Sequence, residues 1–216
     1  MPWQVTGNHW LALPCIHPAD GSLHALGVLH RGARAALEFA GSPDFLGGDG
    51  PPLLRPLIAV NGTARALTSL ELAWERTLGW IPTFTCTVDG LIVRGTLFAP
   101  HGRDADLAGA VYAISIENRN DASSKVSISL EGVLGHRQLR VRSPRAADDA
   151  HRVIASDNQV LVLEGTAQPG FAALAIAADG EARIETQGGD APRFALHREI
   201  EVAGGERGSV AFFIAA

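Results

Sequence analysis

The sequence is poor in charge, in lysine and in long apolar runs, and each shortage removes a class of protein. Charged residues make up 19% of the 216 residues, and Lys125 is the only lysine, so basic charge rests on arginine. The formal net charge is −5, whereas a general nucleic-acid binder would show a basic face. No stretch holds the roughly 18 consecutive apolar residues that a membrane-spanning helix needs. The opening residues, MPWQVTGNHW, lack the basic region and apolar segment of a secretory signal. Only two cysteines occur, Cys15 and Cys86, far apart and without metal-like spacing. Both lie in apolar runs and are expected as reduced core residues rather than disulfide partners. No C-x-x-C pair, Gly-rich phosphate loop or nucleophile elbow is present. These absences leave a soluble, cytoplasmic protein as the expectation, with no nucleic-acid partner, no membrane partner and no cofactor.

What the chain does have is apolar residues, 46% of the total, with 24 glycines and 12 prolines. That composition can bury a sizeable core and demands many turns. Apolar residues recur with period two almost everywhere, the spacing of strands. In 83-TFTCTVDGLIVRGTLFAP-100, Phe84, Cys86 and Val88 share one side and Thr83, Thr85 and Thr87 the other. Asp89-Gly90 then supplies a tight hairpin turn, because Asp and Gly tolerate positive φ. Similar pairs of runs flank Arg31-Gly32, Asn61-Gly62 and Asp179-Gly180, and a last strand is expected over Ser209 to Ala215. The stretch 114-ISIENRNDASSKVSISLEG-132 reads as a ribbon with one apolar and one polar face, turning at Asn118–Asp121. The segment 70-LELAWERTLGW-80 fits either a strand or a helix, and its neighbours favour a strand. Segments 42–56 and 143–152 read as loops. Turn signals every 8 to 15 residues suit an antiparallel sandwich or barrel.

Residues able to carry chemistry are scattered. The eight histidines are His9, His17, His24, His30, His101, His136, His151 and His197. None forms a helical i, i+4 pair, and only His24 and His30 could share a strand face, so no metal site is expected. The carboxylate pairs are Asp104 with Asp106, Asp148 with Asp149, and Glu199 with Glu201. Glycosidic hydrolysis needs two carboxyl groups across a cleft, one with a raised pKa, and these pairs are expected to be solvated. Arg137, Arg140, Arg142 and Arg145 form a basic stretch, expected as a solvated strand face. Trp3, Trp10, Trp74 and Trp80 all fall in the first 80 residues, where they are expected as core or interface anchors; the alternative is sugar stacking.

The order of 74-WERTLGWIPTFTCTVDGLIVRGTLFAP-100 and 109-GAVYAISIENRNDASSKVSISLEG-132 resembles a known family. It is similar to the N-terminal β-sandwich domain of bacterial glycoside phosphorylases and hydrolases whose catalytic part is an (α/α)6 helical barrel. The features that carry the resemblance are Leu78-Gly79-Trp80, Thr96 to Pro100, Ile116-Glu117-Asn118, Lys125 to Leu130 and the closing 199-EIEVAGGERGSVAFFIAA-216. The resemblance spans roughly residues 9–216. It implies an all-β fold, a large two-sheet antiparallel supersandwich like that of galactose mutarotase, as a single domain over residues 1–216. It also implies a helical-barrel partner, in the same chain or separate, and roles in packing on that barrel, shaping the cleft entrance and dimerisation. In the family the catalytic acid sits in the barrel, and this chain stops at Ala216, where the barrel would begin. No catalytic residue is therefore carried over, and the carbohydrate-binding residues stay unknown.

Three functions remain open. A non-catalytic accessory domain of a carbohydrate-active enzyme would show one broad apolar face and no convergent polar pocket. A stand-alone carbohydrate-binding module would line up two or three tryptophans. A mutarotase-like enzyme would bring a Glu and a His together as acid and base. The first is the leading expectation.

Overall fold

In the computed structural model the period-two pattern becomes antiparallel sheet. The structure describes residues 3–30, 35–42, 50–101, 107–141, 143–145, 150–156, 159–166 and 171–216. Among these there are nineteen strands, one turn of 3-10 helix at Leu67–Ser69, and no α-helix. Strands are numbered in chain order. A six-stranded sheet has the order β1 (Gln4–Gly7), β2 (Leu11–Ile16), β3 (Ala25–His30), β4 (Ala35–Ala40), β12 (His136–Val141), β13 (Ser143–Arg145). An eight-stranded sheet runs β14 (Ala150–Ser156), β15 (Val160–Thr166), β16 (Phe171–Ala178), β19 (Arg207–Ala215), β10 (Gly109–Asn118), β9 (Leu91–Phe98), β8 (Ile81–Val88), β7 (Ala73–Thr77). A five-stranded sheet runs β17 (Arg183–Gln187), β18 (Arg193–Val202), β11 (Ser124–Val133), β5 (Arg55–Val60), β6 (Thr63–Arg65). The all-β antiparallel class is as expected, with the hydrogen bonding divided among three sheets. Leu23 bridges both Ile16 and Leu54, which stitches the six-stranded sheet to the five-stranded one.

The inward rows of all three sheets meet in one apolar cluster. Leu13, Leu26 and Phe39 come from the first sheet, Phe84, Val93, Tyr112, Ile114 and Phe212 from the second, and Ile58, Val126, Ile128 and Leu196 from the third. Each is buried, and burying one such side chain contributes about 1.5–3 kcal/mol. Tyr112 lies fully inside this cluster, and its hydroxyl donates to the Gly21 carbonyl at 2.8 Å. Gly21 has φ +69, and a Cβ there would stand 2.6 Å from that hydroxyl, so glycine is required.

Several turns behave as their chemistry predicts. Asn61, Gly62, Asp89 and Gly90 all have positive φ and close the β5–β6 and β8–β9 hairpins. The Arg31-Gly32 turn lies outside the described residues, but the strands beside it, β3 and β4, do pair. The ambiguous segment is a strand: β7 pairs with β8, and Trp74 packs on Phe84 while its indole N–H donates to the Pro18 carbonyl.

Two expected hairpins are instead crossings between sheets. β10 pairs with β9 and β19, while β11 pairs with β5 and β18, so 114–132 is not one ribbon. Alternation alone cannot tell a partner strand from a strand in another sheet. The crossing is held by Asn118, whose buried amide donates to the Ala122 and Val202 carbonyls, each at 2.9 Å, while its Oδ1 accepts from the Asn120 N–H. Likewise Asp179-Gly180 carries the chain from β16, which pairs with β15 and β19, to β17, which pairs with β18. There Asp179 accepts from Arg198 Nε at 3.1 Å and from the Ala211 N–H at 2.9 Å, bracing β18 to β19. Within the two expected loops, the described residues include the fully buried Leu53 and Leu54, which lead into β5, and β13 and the start of β14.

Candidate functional site

Among the described residues, the groups that could have carried chemistry are dispersed or neutralised. Asp104, Asp106, Asp148, Asp149 and Arg142 lie outside the described residues, as do the side chains of His30, Arg137, Arg140, Arg145 and His151. Glu199 and Glu201 sit exposed on the outward face of the five-stranded sheet. Glu199 pairs with Lys125 at 2.7 Å, and Glu201 accepts from Ser123 Oγ at 2.9 Å. The hydrogen bond from Lys125 holds the Glu199 carboxyl below its ordinary range, the reverse of what a glycosidic proton donor needs. Burial pushes the Cys86 thiol up to about 11 and the Tyr112 hydroxyl well above its usual range, so neither ionises at neutral pH. Both cysteines are buried and unpaired.

The histidines fall into separate places. His24 is buried beside Ser22, whose hydroxyl donates to Asp20 at 2.6 Å, and Trp3 packs edge-on against both His17 and His24. Burial, then the neighbouring His17, lowers the His24 pKa. His101 touches His9 and Trp80 through ring contacts at the surface. His136 is half-buried at the start of β12. Among the described residues no three His, Cys, Asp or Glu side chains gather as a metal site. The tryptophans do not line up: Trp74 is packed on the core, Trp3 covers two histidines, Trp10 is half-buried, and Trp80 at 38% exposure stands at the β7–β8 turn.

His197 does meet a carboxylate. Its Nδ1 is 2.6 Å from Ser129 Oγ, and its Nε2 is 3.8 Å from Glu185 Oε2. Glu185 is 59% exposed, so this is a half-open contact and not a buried acid–base pair. Beside it lies a recess of about 630 Å³ lined by Ser127, Glu181, Arg183, His197, Arg198 and Glu199. Sequence spacing gave no sign of this meeting, because Glu185, His197 and Ser129 come from three strands joined only by register.

The most extended candidate is the outward face of the eight-stranded sheet. Antiparallel register sorts it into rows that cross the strands. Ala177, Phe213, Val111 and Phe98 form one row. The next is Ala211, Ala113, Thr96 and Thr83, all small. Then come Ser209, Ser115, Arg94 and Thr85, and finally Arg207 beside Glu117. The face thus grades from carbon to charge. At its apolar end Phe213 is 46% exposed, and the half-buried Val111, Ala113, Ala177 and Ala211 surround it. At its polar end Glu117 accepts from Arg207 Nη2 at 2.7 Å and from Arg119 Nε at 3.0 Å. The hydrogen bonds from Arg119 and then Arg207 lower the Glu117 pKa. This surface can pack against another body; its ion-paired end holds no free acid or base.

No family model matches the sequence, and no curated protein matches it. Solved structures do. One described as a kojibiose phosphorylase from the human microbiome aligns with a TM-score of 0.52 at 11% identity, over 83% of this chain and 23% of its own. A 4-alpha-glucanotransferase from Thermococcus litoralis aligns at 0.49 and 9% identity, over 98% of this chain and 37% of its own. The Slr1438 protein from Synechocystis aligns at 0.42 and 9% identity, over 93% and 98%. At these identities the likeness to the phosphorylase is one of fold. The chain spans about a quarter of the phosphorylase and little more than a third of the glucanotransferase.

Proposed function

We propose that this chain is an accessory, non-catalytic β-sandwich domain of a carbohydrate-active enzyme of the glycoside phosphorylase or hydrolase type. Its role is to pack, through the outward face of the eight-stranded sheet, on a helical-barrel catalytic domain. The observation that supports the reading is the graded face itself: Phe213, 46% exposed, set among half-buried alanines, while the described ion pairs of the five-stranded sheet lie in solvent. Such a patch suits an interface. The fold shared with a chain named as a kojibiose phosphorylase, of which this fold is 23%, supports the choice of partner. The scattered tryptophans count against a stand-alone sugar-binding module that works by stacking.

The purified chain should neither phosphorolyse nor hydrolyse α-glucosides. Supplied with its helical-barrel partner, it should form a complex that Phe213→Asp weakens at least tenfold. Turnover by the isolated chain, or a complex indifferent to Phe213→Asp, would overturn the reading.

A further inference from the structure

The outward face of the five-stranded sheet carries an unsatisfied polar atom. His197 Nε2 is buried and has no hydrogen-bond partner, and buried polar groups of folded proteins nearly always have one. Its ring is fixed from the other side by Ser129, which is 8% exposed and directly opposite in register. Glu185 Oε2, at 3.8 Å, is too far to satisfy it. The recess beside these residues is lined by balanced charge: Glu181 and Glu199 against Arg183 and Arg198. Arg198 is already engaged by Asp179 and by the Glu181 carbonyl at 2.8 Å. The lining groups leave no net charge of their own, and the Glu185 carboxylate beside them disfavours an anion.

We propose that this recess is a binding site for a neutral polyhydroxylated ligand, a mono- or disaccharide, independent of the packing face. One ligand hydroxyl would take its place against His197 and Glu185. A hydroxyl both donates and accepts, so it can donate to the Glu185 carboxylate while accepting from Nε2–H. In the tautomer where Ser129 donates to Nδ1, the proton lies on Nε2. Glu185 is exposed enough for its side chain to turn and admit the ligand to the buried nitrogen. Neighbouring hydroxyls would meet Ser127, Glu199 and Arg183. The choice of a sugar among polyols rests on the carbohydrate-active reading above; the site itself does not.

Imidazole resonances of the intact chain, with His197 assigned by its loss in His197→Gln, provide the test. Glucose, kojibiose, sorbitol and inorganic phosphate are titrated separately. A saturable shift of the His197 Nε2 signal with a sugar is expected, weakened at least tenfold in His197→Gln, followed by backbone signals, and in Glu185→Gln. Ser129→Ala should change the tautomer signature before any ligand is added. A shift with sorbitol as strong as with sugar keeps the site and removes its link to carbohydrate enzymes. A shift with phosphate alone, or none with any probe, overturns the proposal and leaves the packing reading untouched. Glu201→Gln, outside the recess, checks that the effect is local.

Discussion

Two outward faces of the same sandwich are solved differently. On the five-stranded sheet, Lys125 pairs with Glu199, Arg55 with Glu131, and Arg183 with Glu185, a ladder of exposed charge at home in water. On the eight-stranded sheet, the row Ala177–Phe213–Val111–Phe98 presents carbon, and charge enters beyond it, where Arg94 pairs with Glu75 and Arg207 with Glu117. Both faces follow from alternation, because a regular strand sends every second residue outward. The difference lies in what was placed at the outward positions. Solvation suffices for the first face; under the proposed function the second packs against a neighbour.

The largest effect should separate the inside of the eight-stranded sheet from its outside. Phe212→Ala removes a fully buried ring and should cost about 3–5 kcal/mol of unfolding free energy. Its sequence neighbour Phe213→Asp should cost about 1 kcal/mol or less in the isolated chain while weakening the proposed complex at least tenfold. Calorimetry and sedimentation on the two variants read this contrast; similar melting losses would erase it.

Asn118→Ala tests the crossing that assigns β10 and β11 to different sheets. Losing its three short side-chain hydrogen bonds should cost about 3 kcal/mol at roughly 1 each, lowering Tm by roughly 6–12 °C. A change under about 2 °C would mean that the crossing does not depend on this side chain.

Smaller effects are expected on the charged face. Lys125→Ala should leave Tm unchanged within error, since exposed ion pairs contribute little, and added salt should not distinguish it from the parent. The acid response follows from Glu117 and Glu199, both held below the ordinary 4.5 by their hydrogen-bonded cations. A depressed carboxyl pKa means the folded state holds its proton less tightly than the unfolded state. Their contribution is therefore complete above about pH 4.5 and fades as pH falls through the lowered values. A denaturation series between pH 6 and pH 3 should flatten in that acid window for Glu117→Gln.

Much of this was legible in the chain. The hairpins at Asn61-Gly62 and Asp89-Gly90 follow from residues that accept positive φ, and the buried row Val210, Phe212, Ile214 from simple alternation. The destinations of strands were not legible. The Asn118 and Asp179 turns carry the same residues as a hairpin, and only the distant partners, Val202 for one and Arg198 for the other, show that they cross between sheets. The apolar face was anticipated from low charge but could not be located, because its rows assemble residues 98, 111, 177 and 213 through register. The Ser129–His197–Glu185 meeting was hidden for the same reason.

Thiol labelling tests the central claim most directly, since Cys15 and Cys86 are both buried and leave a quiet background. Phe213→Cys and Glu199→Cys are labelled in the isolated chain and in its assembly with the proposed helical-barrel partner. The account predicts ready reaction at both positions in isolation, and at least tenfold protection at 213 alone in the assembly. Equal reactivity at 213 with and without the helical partner would contradict it.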